Sequence, residues 1–508
     1  MADAHHSPVH EIVRSLWSSL RALGVNPPPA AIEEWALSIH CALSSTARQF
    51  HSHEHVIELC EGASPIETIA ALYHDVVYVQ VDGRLPASME LLLAPLLAPV
   101  NGGWQIRAEA AASAPARAIL AVFGLVPGNV LGPMSGLNEL ASALAFAEHL
   151  GRALDEETVI AVAACIEATI PFRVDPGAEL AARLTAMGLG PARVIEHVER
   201  AMRVANRDVA NFADEDPAEF LANTWKLLPE TNPSLNVPSR YTVSDYRIAL
   251  MKMETFLERL PAERVFHTFG AEPSSAEHAR RVHNTRRNIA LAVRYLRVKL
   301  YAIALIESIC LATGGDLPLQ YVMGALASRG KKARLESFLP PARVEIAPDP
   351  ELATLLRDGR RGEASFDIAP SPLAAHLLSV LGELKIAEGV ASARLLWAGT
   401  IDAMTFIDAQ RPDVLASLAR AAASLAATRR ELLLALADRL APEERLSLPK
   451  PPGPVGVPST GTGGRAAGGG SEPTNARANE PLTMESSGVR YLGPEHRDVA
   501  TRARARLA

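Results

Sequence analysis

Ser64-Pro-Ile-Glu-Thr-Ile-Ala-Ala-Leu-Tyr-His-Asp-Val-Val-Tyr-Val-Gln-Val-Asp-Gly83 decides how this chain is read. Ser64 followed by Glu67 is a capping box, and Pro65 at the first helical position is pre-organised for a helix. Asp82-Gly83 is a stop signal. The pattern predicts one helix over 64–82. Inside it, His74 and Asp75 interrupt a run that is otherwise apolar. An ionised carboxylate in such surroundings is costly unless something compensates it. A divalent metal ion is the simplest compensation, because imidazole nitrogen and carboxylate oxygen both ligate such ions. The alternative is an arginine partner for Asp75, such as Arg48, beside a satisfied core histidine.

The rest of the chain extends the helical reading. Its 508 residues are 48% hydrophobic and only 5% aromatic, with Ala and Leu dominant and β-branched runs short. That composition predicts an all-α fold with a large core. The expected helices cover 8–43 (broken at Asn26-Pro-Pro-Pro), 137–151, 155–170, Pro191 to Phe212, 242–260, 276–312 and a further stretch over 372–440. From Leu446 to about Gly488 the composition shifts to Pro, Gly, Ser and Thr, which predicts disorder. The expected organisation is a helical metal-binding domain over 1–270, a helical region over 271–445, a disordered linker over 446–488 and a basic tail over 489–508.

Charge and cysteine usage narrow the possibilities. The net charge of -7 argues against nucleic acid as a partner. The four cysteines, Cys41, Cys60, Cys165 and Cys310, form no CxxC pair and read as small buried hydrophobes in a reducing compartment. No basic n-region with an apolar h-region opens the chain, and no uninterrupted apolar run reaches the roughly 18 residues of a membrane span. The expectation is a cytoplasmic protein without a membrane partner. Gly324-Ala-Leu-Ala-Ser-Arg-Gly-Lys-Lys332 is not a P-loop, because five residues separate its glycines and Lys332 stands where Ser or Thr is required.

Further donors lie on both sides of His74-Asp75. Upstream is Arg48-Gln-Phe-His-Ser-His-Glu-His55. His51 and His55 are four apart and face one ion if they share a helix turn, with Ser52 as its N-cap. His53 points elsewhere, toward solvent. The cluster is not a zincin motif, since Ile57 stands where HExxH needs its second histidine. Downstream, Asp208 has Val204, Ala205 and Phe212 as helix neighbours, so it borders the apolar face. Pairing with Arg203 or Arg207 is its bland alternative.

Phe50-His-Ser-His-Glu-His-Val56 followed by Ala71-Leu-Tyr-His-Asp-Val-Val-Tyr78 resembles the HD-domain superfamily of metal-dependent phosphohydrolases. It is most similar to the subgroup whose first motif reads Arg-x-Tyr-His-x-x-x-His, with Phe50 in place of the tyrosine. The resemblance covers about residues 45–212. It implies a divalent ion (Mn, Mg, Fe, Co, Ni or Zn) held by His55, His74, Asp75 and Asp208. It implies a small phosphorylated substrate, with nucleotides among the candidates, attacked by a metal-activated water. His51 is then a fifth ligand, a residue behind the ligands or a proton donor. Arg48 and Arg173 are candidates for stabilising phosphoryl charge, Glu167 for a general base, and Lys226 for a surface charge that could reach phosphate. Two other readings stand beside it: a di-iron oxygenase with extra ligands such as His51, and a non-catalytic sensing or interaction protein. The alanine-rich C-terminal helices could serve an oligomer or simply a core. One distance separates these outcomes best, since Asp208 and His74 can share an ion only if they lie within about 5 Å.

Overall fold

Helices carry most of the described residues, as the alanine- and leucine-rich composition favours. The computed structural model describes residues 7–101, 103–132, 135–324, 333–341 and 349–441. The expected linker over 446–488 and tail over 489–508 lie outside the described residues, as do positions 325–332 of the P-loop-like stretch. Twenty α-helices run from Pro8–Ala22 to Arg430–Leu440. The one sheet among the described residues is antiparallel, with Leu97–Val100 and Val130–Leu131 flanking Gly103–Ile106. Leu97 faces Ile106, and Trp104 faces Leu131. Pro99 is tolerated there because its strand is an edge.

Helix starts follow the local signals. Pro65, Pro176, Pro191, Pro217 and Pro372 each open a helix. The Ser64 N–H donates to Glu67 Oε2 at 2.8 Å, and Asp155 accepts from the Thr158 N–H at 2.8 Å. These contacts satisfy orphan amides of the first turn.

The structure departs from the expected boundaries where tertiary partners take over. The helix expected over 64–82 ends at Tyr73 and resumes as the single turn Val79–Asp82. Between them, the Val77 N–H donates to Ser142 Oγ (3.1 Å) and the Val79 N–H to Asn138 Oδ1 (3.0 Å), while the Asp75 carbonyl accepts from Arg48. Side chains therefore replace the helical ladder, and the backbone turns at His74-Asp75. The Pro191 helix stops at Asp208, with Phe212 in a separate 3₁₀ turn. Residues 372–440 form four helices, the first kinked at Gly382 (φ 73°, ψ 163°), a conformation open to glycine.

Two large apolar cores result among the described residues, beside a small cluster of Ala416, Ala419 and Ala437. One draws on residues from Ile12 to Ala205 and the other on residues from Phe212 to Leu436. The change from one core to the other falls at the C-terminal end of the Pro191–Asp208 helix. The 38-residue helix Ser275–Ala312 runs through the second core. There it buries Lys299, whose Nζ donates to Asp367 Oδ2 at 3.0 Å. Trp225 Nε1 and the Tyr246 hydroxyl donate to the same oxygen at 2.9 and 2.8 Å. Burial works against Asp367's charge, but Lys299 and Arg360 hold its carboxyl below the usual range. A buried ion pair with its hydrogen bonds supplied is tolerable; a half-satisfied one is not.

Candidate metal centre

The donors come from three separate elements. His55 lies on the helix His53–Leu59, His74 and Asp75 on the turn after Tyr73, and Asp208 at the end of its helix. His51 precedes its helix rather than sharing a turn with His55, so it reaches the centre from the loop. The His51 and His55 rings meet edge-on with centroids 6.4 Å apart.

His55 Nε2 lies 2.9 Å from Asp208 Oδ1, and His74 Nε2 lies 3.4 Å from the same oxygen. The latter distance is inside the roughly 5 Å that a shared ion requires. One donor atom from each of His55, His74 and Asp208 lies within 4.8 Å of the others. Asp75 approaches from the side, its Oδ2 3.0 Å from His74 Nε2. Among the described residues its carboxylate has no arginine partner, and Arg48 reaches only its carbonyl.

His74 is oriented for ligation. Its Nδ1–H donates a hydrogen bond to the Ala71 carbonyl at 2.8 Å, which leaves Nε2 aimed at the aspartates. Such a bond to the far nitrogen is how proteins fix a ligating imidazole. His74 Nε2 and Asp75 Oδ2 are both buried, yet neither is in hydrogen-bonding geometry with any described group. Buried polar atoms of opposite kind, held 3.0 Å apart without hydrogen-bond geometry, fit a cation placed between them.

The electrostatics agree with this arrangement. Burial lowers His74, but Asp75 and Asp208 carry it well above the ordinary histidine value. Burial would raise Asp75, but His74 and His51 hold it far below the carboxylate range. Asp208, also pushed up by burial, is held at about 2 by the His55 hydrogen bond and the neighbouring His74. Without a metal, a proton on His74 supplies the positive charge that the two aspartates require.

Two acidic residues that sequence reasoning missed complete the surroundings. Glu230, buried in the last turn of Pro217–Thr231, accepts through Oε1 from the amides of Gln49, Phe50 and His51 at 2.7, 2.7 and 3.1 Å. Its Oε2 lies 2.6 Å from His51 Nδ1. Burial lowers His51, but Asp75, Glu230 and Asp208 outweigh it and leave its pKa raised. A carboxylate at a helix C-terminus opposes the macrodipole, and that was the available signal for Glu230. Glu139 is pushed up to about 7 by burial and by repulsion from Asp75 and Asp208. Standing in the first turn of Leu137–Leu150, it resembles any helix-start glutamate, so its sequence carries no signal.

The remaining candidates are engaged elsewhere. Arg48 is buried, pairs with Asp82 at 2.6 Å and donates to the Asp75 carbonyl at 2.5 Å. It braces the His-Asp turn from behind. Glu167 receives Arg173 at 2.6 Å and Arg183 at 2.5 Å. Neither Arg48 nor Arg173 can serve a phosphate without breaking an ion pair. Lys226 is exposed and donates to Asn223. His53 is half-buried between His40 and Glu54 rather than solvated. Of the cysteines, Cys165 and Cys310 are buried, whereas Cys41 is exposed. No helix among the described residues is long and apolar enough to cross a membrane. No protein-family model, curated protein or solved structure matches the chain.

Proposed function

We propose that this protein is a metal-dependent phosphohydrolase of the HD type, acting on a small phosphate ester. One observation carries the proposal: the buried His74 Nε2 and Asp75 Oδ2 stand 3.0 Å apart without hydrogen-bond geometry, with Asp208 within 3.4 Å of the same nitrogen. His55, His74 and Asp208 would hold a divalent ion, with Asp75 at its side. When bound, the ion supplies Lewis acidity toward a water and a phosphoryl oxygen.

The chain's own residues then divide the work. The Ala71 carbonyl keeps Nε2 of His74 directed inward. Arg48 keeps the turn that carries Asp75 in place. His51, anchored by Glu230 and with its pKa raised, is suited to deliver a proton to a leaving oxygen. The carboxylates around the centre exclude an anionic substrate until a cation is present, so metal and substrate binding are coupled.

The test combines metal analysis with a screen of p-nitrophenyl phosphate and nucleoside monophosphates. Wild type should retain divalent metal through dialysis and hydrolyse at least one ester. Asp75→Asn and Asp208→Asn should lose at least about a hundredfold in activity, with weaker metal retention. Full activity in both variants rejects the assignment.

A further inference from the structure

The helix Val243–Arg259 has two unlike faces. Tyr246, Leu250, Met253 and Leu257 step by 4, 3 and 4 and are buried in the second core. Ile248, Lys252, Thr255 and Arg259 follow the same spacing on the outer face. That face lines an open groove of about 650 Å³, a size typical of small-molecule sites.

Its lining is apolar and cationic, with no carboxylate. Phe172, Ile248, Met251 and Phe256 supply apolar surface, and Arg247, Lys252, Arg259 and Arg264 supply charge. Arg247 is engaged by Glu307 at 2.9 Å, and Lys252 donates only to the neutral Asn232 amide oxygen at 3.0 Å. The guanidinium groups of Arg259 and Arg264 are exposed and have no hydrogen-bond or ion-pair partner among the described residues. The nearest acids in sequence, Glu258 and Glu263, are turned away toward Arg297 and Arg286. In a chain of net charge -7, uncompensated cations gathered beside apolar surface are a specific feature.

The groove wall carries a second signal. Phe172 is the only non-glycine residue with positive φ among those described, at 60°. Its ring packs against Phe212 and Phe256 with centroids 5.8 and 5.7 Å away. A left-handed phenylalanine is unfavourable, and such residues cluster at ligand clamps.

We propose that this groove binds a small amphiphilic anion from solution. Its apolar chain lies along Phe172, Ile248 and Phe256, and its carboxylate or phosphate head is held by Arg259 and Arg264. The site is independent of the metal centre, and its test reads binding directly. The full-length protein is titrated with dodecanoate and with dodecyl phosphate below their micelle concentrations. Dodecanol and inorganic phosphate serve as comparators. Both anions should bind saturably, one per chain, and about tenfold or more tighter than dodecanol. Inorganic phosphate should not bind at the groove. The double variant Arg259→Gln/Arg264→Gln alters exposed side chains only. It should lose the preference for anions while keeping the affinity for dodecanol, which also reports that the groove is intact. Equal binding of dodecanol and dodecanoate overturns the proposal. So does an unchanged double variant, or association with anionic vesicles but not with the monomeric amphiphiles.

Discussion

Glu230 offers the most exacting test of how this site is built, because one side chain serves four donors. Its Oε1 accepts from three successive amides, and its Oε2 meets His51 Nδ1 at 2.6 Å. Hydrogen bonds to a charged group contribute about 1.5–3 kcal/mol each. Four would sum to about 6–12 kcal/mol if they were additive and if nothing replaced them. They share one carboxylate, and water can reach the partly exposed His51 side. We therefore expect Glu230→Ala to cost about 3–5 kcal/mol. Glu230→Gln retains an acceptor for the amides but loses the charge facing His51, and should cost about 1–2 kcal/mol. The pH dependence has a definite sign. Burial opposes Glu230's charge, but His51 and the amides hold its pKa below the ordinary value. Its contribution is therefore present above roughly pH 4.3 and lost as the pH falls through the depressed value. His51 is raised, so its contribution is present below roughly pH 6.5 and lost as the pH rises through the raised value. The gap between wild type and Glu230→Gln should be widest near pH 5.5 and narrow on either side. Urea denaturation at several pH values measures it, provided the m-values agree. An alanine variant within about 1 kcal/mol of wild type, or a glutamine gap independent of pH, would refute the role given to Glu230.

Other outcomes follow from different parts of the molecule. Glu139→Gln should stabilise the metal-free protein at alkaline pH. The wild-type pKa of about 7 means that folding favours the protonated acid, so stability falls as the pH rises from about 4.5 through 7. The gain should be on the order of 1–3 kcal/mol at about pH 8 and vanish near pH 4; a pH-independent gain would contradict it. Asp367→Ala should cost about 3–5 kcal/mol in chemical denaturation, because Lys299 is left buried without its counter-ion. A loss below about 1 kcal/mol would show that the network is dispensable. Gly389→Ala should cost about 1–3 kcal/mol in thermal unfolding, since an added Cβ collides with the buried Tyr301 ring. An unchanged melting temperature would mean that the ring moves freely.

The helical class was legible because it depends on local chemistry. Proline at first positions, Asp and Thr caps, and 3–4 spacing of apolar residues act within a few residues of one another. His74 and Asp75 were legible for a related reason: charge within an apolar run is conspicuous without any structure. The break at Tyr73 was not legible, because the groups that take over the backbone, Ser142, Asn138 and Arg48, are distant in sequence. Glu167 and Arg173 stood as candidates, and the structure engages them with each other.

What the sequence determined by itself is therefore a helical chain carrying imidazole and carboxylate at unusual places. Tertiary structure alone decided that Asp208 lies 3.4 Å from His74 and that Glu230 holds the His51 loop. The physical reason is range. Capping and periodicity are set by neighbours along the chain, whereas the separation of two side chains 134 positions apart, 208 minus 74, is set by how the helices that carry them pack in the first core.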